Sequence, residues 1–96
     1  MKANVIEREL TFIDNAKASS LYGALNKNLH AIEKCSGVTI HARGTNLRIV
    51  GMPHDVDLVE GLLTQLYELV NRGYPIFSSD FAFGLRILEA TPKARL

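Results

Sequence analysis

The sequence predicts an α+β domain in which helices cover one face of a three-stranded sheet. Apolar and polar residues alternate over residues 4–12 and on both sides of a turn sequence at 43–46, which is the two-residue period of a strand. Apolar residues recur at three- and four-residue spacing over 24–35, 56–70 and 81–88, which is the period of a helix. The predicted order is therefore β-α-α-β-β-α with one further helix, and two packed layers bury such a set of elements.

The first two elements are a half-buried strand and a short helix. Asp14 and Asn15 follow the strand, and residues of this type cap helix N-termini with their side-chain oxygens. The helix is predicted over 16–22 and ends near Gly23. The core-facing side of the strand is formed by Ile6, Arg8, Leu10 and Phe12. A charged residue thus interrupts an otherwise apolar side.

The second helix is predicted over 24–35, with an apolar side and a basic side. Gly37 is expected to end it, because glycine adopts the left-handed conformation of a C-terminal cap without a Cβ clash. Cys35 is expected to be a buried structural thiol. The apolar stripe consists of Leu25, Leu29, Ile32 and Cys35. The basic side consists of Lys27, His30 and Lys34.

A tight hairpin follows, because Gly44 lies in a short turn signal between two alternating segments. Its core-facing residues are predicted to be Val38, Ile40, Leu47 and Ile49. Its other face is predicted to hold His41, Arg43 and Arg48.

The long helix is predicted to begin at Pro53, since the missing N–H of proline is not needed in a first turn. Two apolar rows run along this helix, so we expect it to be covered on two sides. The rows are Val56, Val59, Leu63, Leu66 and Val70, and beside them Leu58, Leu62 and Leu69.

The last helix is the expected cover for the second row. Residues 71–75 interrupt the helical pattern with Gly and Pro, and a Ser-Ser-Asp sequence at 78–80 signals a new N-terminus. We therefore predict a main domain at 1–74, a C-terminal helix packed on it at 75–91, and a tail or the start of a linker at 92–96.

Composition excludes several classes of protein. The 96 residues hold one cysteine and a net charge of +1, and 47% are hydrophobic, which fits one small globular domain without a disulfide. No apolar stretch reaches the roughly 20 residues that span a membrane. The N-terminus holds charges where a signal peptide needs an apolar core. We expect a cytoplasmic protein that does not bind membranes.

The sequence holds no recognisable catalytic or metal-binding pattern. The three histidines fall on three different predicted elements, and there is no second cysteine, so no spacing typical of zinc ligands occurs. The Gly-rich Walker pattern that cradles phosphates is missing too. The chain itself is therefore not expected to be an enzyme, and no catalytic, metal-binding or cofactor-binding residue is assigned.

Charge is distributed unevenly along the chain. Residues 16–51 have a net charge of +4, and residues 52–91 have a net charge of −4. A local excess of positive charge attracts an anionic partner even when the total is near zero. The alternative is an ordinary solvated surface.

The segment from Leu21 to Ile32 resembles the KH-module pattern Ile-Gly-x-x-Gly-x-x-Ile-x-x-Ile. Gly23 matches the first glycine, Leu29 and Ile32 match the aliphatic pair, and Asn26 occupies the position of the second glycine. The resemblance implies a KH-like β-α-α-β-β-α sandwich, plus an extra C-terminal helix, in which this turn approaches the backbone of single-stranded RNA. Asn tolerates a left-handed backbone, but its side chain stands where phosphate would pass.

The residues assigned to nucleic-acid contact comprise this turn and the nearby basic side chains. The turn shapes the close approach, and the basic residues supply attraction to phosphate that does not depend on sequence. The set is Gly23, Ala24, Leu25, Asn26, Lys27, His30, Lys34, His41, Arg43 and Arg48.

Nearly the whole chain is also similar to the N-terminal segment of PhoH-like proteins, a family of phosphate-starvation-inducible P-loop ATPases. The similarity lies in the order and spacing of ordinary residues rather than in catalytic groups. It rests on Asp14–Asn15 after the first strand, on the runs 21–33 and 37–51, on Leu-Tyr-Glu-Leu-Val at 66–70 and on the helix at 78–88.

This second resemblance implies that the chain is a fragment. Members of the family have an ATPase domain after this region, which binds ATP and Mg²⁺, and they are linked to RNA metabolism. They usually assemble into rings, so the parent protein would be a homo-oligomer whose ATPase domain is a partner of this segment. No nucleotide-binding residue carries over, because no position here matches a Walker motif.

Two functions remain open at this stage. The main hypothesis is an accessory KH-like module that binds RNA for a PhoH-like ATPase. The alternative is a docking or oligomerisation domain of the same shape that does not bind RNA. In the alternative, the apolar rows of the long helix, or Phe81 and Phe83, would meet a second chain.

Overall fold

The helices and strands follow the predicted order in the computed structural model, which describes residues 4–91. The strands are β1 (Ile6–Thr11), β2 (Thr39–Arg43) and β3 (Asn46–Gly51). The α-helices are α1 (Asn15–Tyr22), α2 (Lys27–Ser36), α3 (Pro53–Asn71) and α4 (Ser78–Ala90). A 3₁₀ turn at Ala24–Asn26 joins α1 to α2. The predicted α+β sandwich is confirmed, and the segment predicted as a tail at 92–96 lies outside the described residues.

The hairpin strand β3 forms the centre of the sheet. It pairs antiparallel with β1 on one side and with β2 on the other. Ile49 lies opposite Arg8 of β1 and Ile40 of β2. Leu47 and Ile49 are fully buried under the helices, whereas Arg48 between them is exposed. The helices therefore cover one face of the sheet and leave the other to solvent.

The C-terminal helix α4 covers the other helices. It packs against α2 and α3, and Phe81, Leu85 and Leu88 are at most 2% exposed. Leu62, in the second apolar row of α3, is fully buried. Phe81 thus lies in the chain's own core and is not available to a second chain, which corrects one part of the docking hypothesis. Phe83 is exposed.

The charged residue on the core-facing side of β1 has partners that explain its position. Arg8 donates to Asp57, with 3.1 Å between nitrogen and oxygen, and to Glu60, both on α3. These carboxylates raise the pKa of Arg8, and the hydrogen bond that Arg8 donates to Glu60 contributes most. The guanidinium therefore joins β1 to α3 at the edge of the core and keeps its charge.

The helix ends confirm the predicted caps. The Asp14 carboxylate accepts a hydrogen bond from the Lys17 N–H at 3.1 Å, which satisfies a donor that the start of α1 leaves open. Gly37 closes α2 with φ of 80°. Pro53 is the first residue of α3. Local chemistry therefore sets these three boundaries.

Two residues predicted to be buried are exposed. The second helix begins at Lys27 rather than at 24, so Leu25 lies in the preceding turn and is 95% exposed. Cys35 is exposed as well, because the buried part of α2 ends at Ile32 and the last turn leads to the exposed cap at Gly37. The packed stripe of α2 is thus shorter at both ends than the helical period predicts.

Candidate nucleic-acid interface

The turn between α1 and α2 is the most unusual backbone segment of the described chain. Gly23 adopts φ of 81° and ψ of 171°, a region that is almost exclusive to glycine. Leu25 has φ of 54° and Asn26 has φ of 57°, both left-handed. The Gly23 carbonyl accepts the Asn26 N–H at 3.0 Å and closes the turn. Ala24, Leu25 and Asn26 all remain exposed.

A buried amide fixes this turn to the core. Asn28 is 2% exposed, and its Nδ2 donates to the Leu21 carbonyl at 2.9 Å. A Cβ placed on Gly23 would lie only 2.8 Å from that Nδ2. Gly23 is therefore required both for its backbone angles and for the space that Asn28 fills. The sequence pattern does not predict the burial of Asn28, since a polar residue beside the apolar stripe of a helix gives no periodic signal of burial.

A small cleft lies between α1, the turn and the hairpin. It has a volume of about 250 Å³ and is lined by Asn15, Ser19, Tyr22, Asn26, Ala42 and Gly44. The Tyr22 hydroxyl donates to the Gly44 carbonyl at 2.9 Å. Tyr22 therefore lines the cleft and ties the hairpin loop to α1, whereas Leu25 does not line it.

A carboxylate closes the space between α2 and the outer edge of the sheet. Glu33 Oε2 accepts the Ile40 N–H at 2.8 Å, and Oε1 of the same residue lies 3.1 Å from His30 Nδ1. The backbone N–H of Ile40, on the edge strand β2, is therefore hydrogen-bonded within the chain. Glu33 also brings negative charge to this part of the surface.

The predicted basic residues fall into two groups on different layers. Lys27, His30 and Lys34 are exposed on α2 and follow directly from the turn; we call them the α2 basic group. His41, Arg43 and Arg48 line a depression of about 440 Å³ on the helix-free face of the sheet; we call them the sheet basic group. The α2 basic group begins at Lys27, directly after the turn Gly23–Asn26 in the chain.

Acidic side chains accompany the sheet basic group. Arg48 lies opposite Glu9 and His41 in the strand register, and its Nε is 3.9 Å from Glu7 Oε1. Glu9 also lines the same depression. The net attraction of this face for phosphate is therefore weaker than the count of its basic residues indicates.

Metal-binding clusters and membrane-spanning helices are two features that the described part of the chain lacks. Among residues 4–91, no cluster of three or more His, Cys, Asp or Glu side chains is arranged to hold a metal ion. No helix within the same range is long and apolar enough to cross a membrane.

Comparison with known proteins relates the chain to PhoH-like proteins. Over 71 residues, or 74% of the chain, it is 31% identical to a PhoH-like protein of Mycobacterium leprae. Over the same length it is 34% identical to PhoH-like proteins of Mycobacterium bovis and Mycobacterium tuberculosis H37Rv. The matched part is 20% of each relative, so the chain spans about a fifth of their length. No known family profile matches the chain. The resemblance to PhoH-like proteins is thereby confirmed for this segment.

Replacing Gly23 with Ala tests the turn. The new Cβ would meet Asn28 Nδ2 in a backbone region that only glycine adopts easily, so we expect a loss of about 1–3 kcal/mol in the free energy of unfolding. Gly61→Ala is the matched control. Gly61 lies within α3 with nothing within 4 Å of an added Cβ, and alanine there should stabilise by about 0.5–1 kcal/mol. Urea unfolding measures both, and equal effects of the two variants would contradict this description of the turn.

Replacing Tyr22 with Phe tests the link to the hairpin. Burial, with a smaller contribution from Tyr67, raises the pKa of Tyr22 to about 12 from its ordinary value of 10. Between these two pH values the unfolded chain loses this proton while the folded chain keeps it, so the free energy of unfolding should fall as pH rises. Tyr22→Phe should show a shallower fall over the same pH range in denaturant titrations. Identical pH profiles would mean that the Tyr22 hydroxyl is not held as described.

Proposed function

We propose that this segment is an accessory KH-like module of a PhoH-like, ATP-binding protein and that it contacts single-stranded RNA. The observation that carries the proposal is the exposed turn at Ala24–Asn26, which runs directly into the exposed α2 basic group. KH modules hold RNA through such a turn, which lies along the nucleotide backbone.

A cationic side chain lies beside Gly23. A Cβ added to Gly23 would lie 3.1 Å from Lys27 Cγ, so the aliphatic stem of Lys27 packs against this glycine. Lys27 is exposed, and its ammonium group therefore reaches water beside the turn. Lys34 adds a second positive charge on the exposed side of α2.

The replacement of the second glycine by Asn26 is compatible with this function. Asn26 keeps the left-handed backbone, with φ of 57°, and makes no side-chain hydrogen bond to cap α2. An amide can donate a hydrogen bond to a phosphate oxygen. Leu25, which is 95% exposed next to it, offers an apolar surface to a ribose or a base. The departure from the KH pattern therefore changes the side chains at the turn and preserves its shape.

The relatives suggest the setting in which such a module works. They bear the name PhoH-like and are about five times as long as the matched segment. We infer a parent protein in the cytoplasm whose further domain binds ATP and Mg²⁺ and assembles with other copies. This segment would guide RNA toward that domain and would not itself catalyse a reaction.

An RNA titration tests the proposal. Fluorescence anisotropy of a labelled single-stranded oligonucleotide should report binding at about 50 mM salt and weaker binding at about 200 mM. Lys27→Ala combined with Lys34→Ala should weaken binding and lower the salt dependence, since each lost phosphate contact removes about 0.7 from the slope on single strands. Arg86→Ala, an exposed cation on α4, is the control and should bind like the unsubstituted chain.

The titration also distinguishes RNA binding from the alternative, a docking domain that does not bind RNA. An absence of binding even at the lower salt concentration would contradict direct RNA contact and favour a docking domain of the same shape. Asn26→Gly sharpens the result, because glycine accepts the same backbone angles and removes only the amide that would donate to a phosphate oxygen. That variant should bind RNA more weakly if the Asn26 amide contacts phosphate.

A further inference from the structure

A cleft of about 630 Å³ lies between the turn that follows α1 and the connection that joins α3 to α4. Sites for small organic groups have volumes of roughly 300–1,000 Å³. The residues that line the cleft are Ser19, Ser20, Gly23, Ala24, Val70, Gly73, Tyr74, Pro75 and Ile76. Because Gly23 and Ala24 are among them, the cleft is continuous with the turn at which we expect the RNA backbone to lie.

The lining of the cleft combines an aromatic ring, apolar surface and hydroxyl groups. Tyr74 is 58% exposed, and stacking of bases on such rings is a principal way in which proteins bind single-stranded RNA. Val70 and Ile76 add half-buried apolar surface beside the ring. Ser19 and Ser20 are exposed, and a serine hydroxyl can donate or accept a hydrogen bond. This combination suits a flat ring with polar atoms at its edge.

The backbone that carries the aromatic ring is held in place. The Tyr74 N–H donates to the Leu69 carbonyl at 3.0 Å, and the Gly73 N–H donates to the Val70 carbonyl at 3.0 Å. Gly73 has φ of 89°, the left-handed conformation in which glycine ends a helix. Pro75 in turn restricts the backbone of the residue before it, which is Tyr74. The ring is therefore positioned before a ligand arrives, and this reduces the entropy lost on binding.

The charges around the cleft are compatible with a nucleic acid. None of the described residues that line it is acidic. Lys17 Nζ lies 3.4 Å from the carbonyl of Asn71, the residue that follows Val70 of the cleft wall. On the side of the turn, Lys27 packs against Gly23. Positive charge is thus present near two sides of the cleft, where it attracts the phosphates that flank a bound base.

We propose that this cleft binds a nucleobase of the strand whose phosphates contact the turn, a proposal that rests on the RNA contact proposed above. The base stacks on Tyr74, and its polar edge meets the hydroxyls of Ser19 and Ser20. Every base has a π-face, so the cleft accepts any of them. Tyr74 belongs to the connection that leads to α4, which lies outside the β-α-α-β-β-α pattern of KH modules. The base site is therefore an addition to the KH-like part of the chain.

Two labelled strands of equal length test the proposal. One is a single-stranded RNA, and the other is a sugar–phosphate chain without bases. Fluorescence anisotropy at about 50 mM salt should show tighter binding of the RNA, since only the RNA can use both the phosphate contacts and the cleft. Tyr74→Leu should weaken RNA binding about tenfold and leave binding of the base-free strand unchanged. Tyr74→Phe should bind RNA like the unsubstituted chain, because it keeps the aromatic ring.

A second exposed aromatic residue provides the matched control. Phe83 is 64% exposed and does not line this cleft, so Phe83→Leu should bind both strands like the unsubstituted chain. Equal binding of the two strands, an unchanged RNA affinity in Tyr74→Leu, or an equal loss in Phe83→Leu would overturn the base site. In each of these cases, binding of the base-free strand would still support phosphate contact at the turn. Failure of both strands to bind the unsubstituted chain would contradict the RNA contact itself and the base site with it.

Discussion

The hydrogen bond from the buried Asn28 amide to the Leu21 carbonyl, with Gly23 packed against it, is the constraint on which the rest of the interface depends. It fixes the end of α1 against the start of α2 and forces the intervening residues outward. Leu25 therefore lies in water, and α2 begins at Lys27. The exposed turn leads directly into α2 along the chain, and this buried amide holds their junction against the end of α1.

The backbone strain of the turn reduces the stability of the fold, and burial of apolar side chains in the core offsets this loss. Left-handed backbone angles at a leucine cost roughly 1–2 kcal/mol. Leu25 is almost fully exposed, so burial of its side chain does not offset this cost. On either side of the turn, Leu21, Leu29 and Ile32 are at most 2% exposed, and burial of each such side chain contributes about 1.5–3 kcal/mol. The packed helices can therefore hold a strained, exposed segment. Backbone strain that persists in this way is concentrated at functional sites, which agrees with a role in binding.

Local chemistry made much of the fold predictable from the sequence. Three helix boundaries follow from the side chains or backbone preferences of Asp14, Gly37 and Pro53. The hairpin follows from the alternation of apolar and polar residues on both sides of Gly44. The same reasoning failed at Leu25 and Cys35, because a helical period does not reveal where a helix starts or how far its neighbours reach. Contacts between distant residues, such as Tyr22 with Gly44 and Glu33 with Ile40, leave no sequence pattern. The sequence already assigned the basic residues to a helix and to a hairpin face, whereas only the folded chain shows that Glu7 and Glu9 accompany those on the sheet.

We expect the turn and the adjoining side of α2 to form the RNA-contacting surface. Amide chemical-shift mapping on ¹⁵N-labelled protein, during titration with a single-stranded RNA oligonucleotide at low salt, measures where RNA binds. Shifts should occur at Gly23–Lys27, His30 and Lys34, whereas His41 and Arg48 on the sheet and Phe83 on α4 should not shift. Shifts centred on the sheet or on α4, or no shifts at all, would contradict RNA contact at the turn.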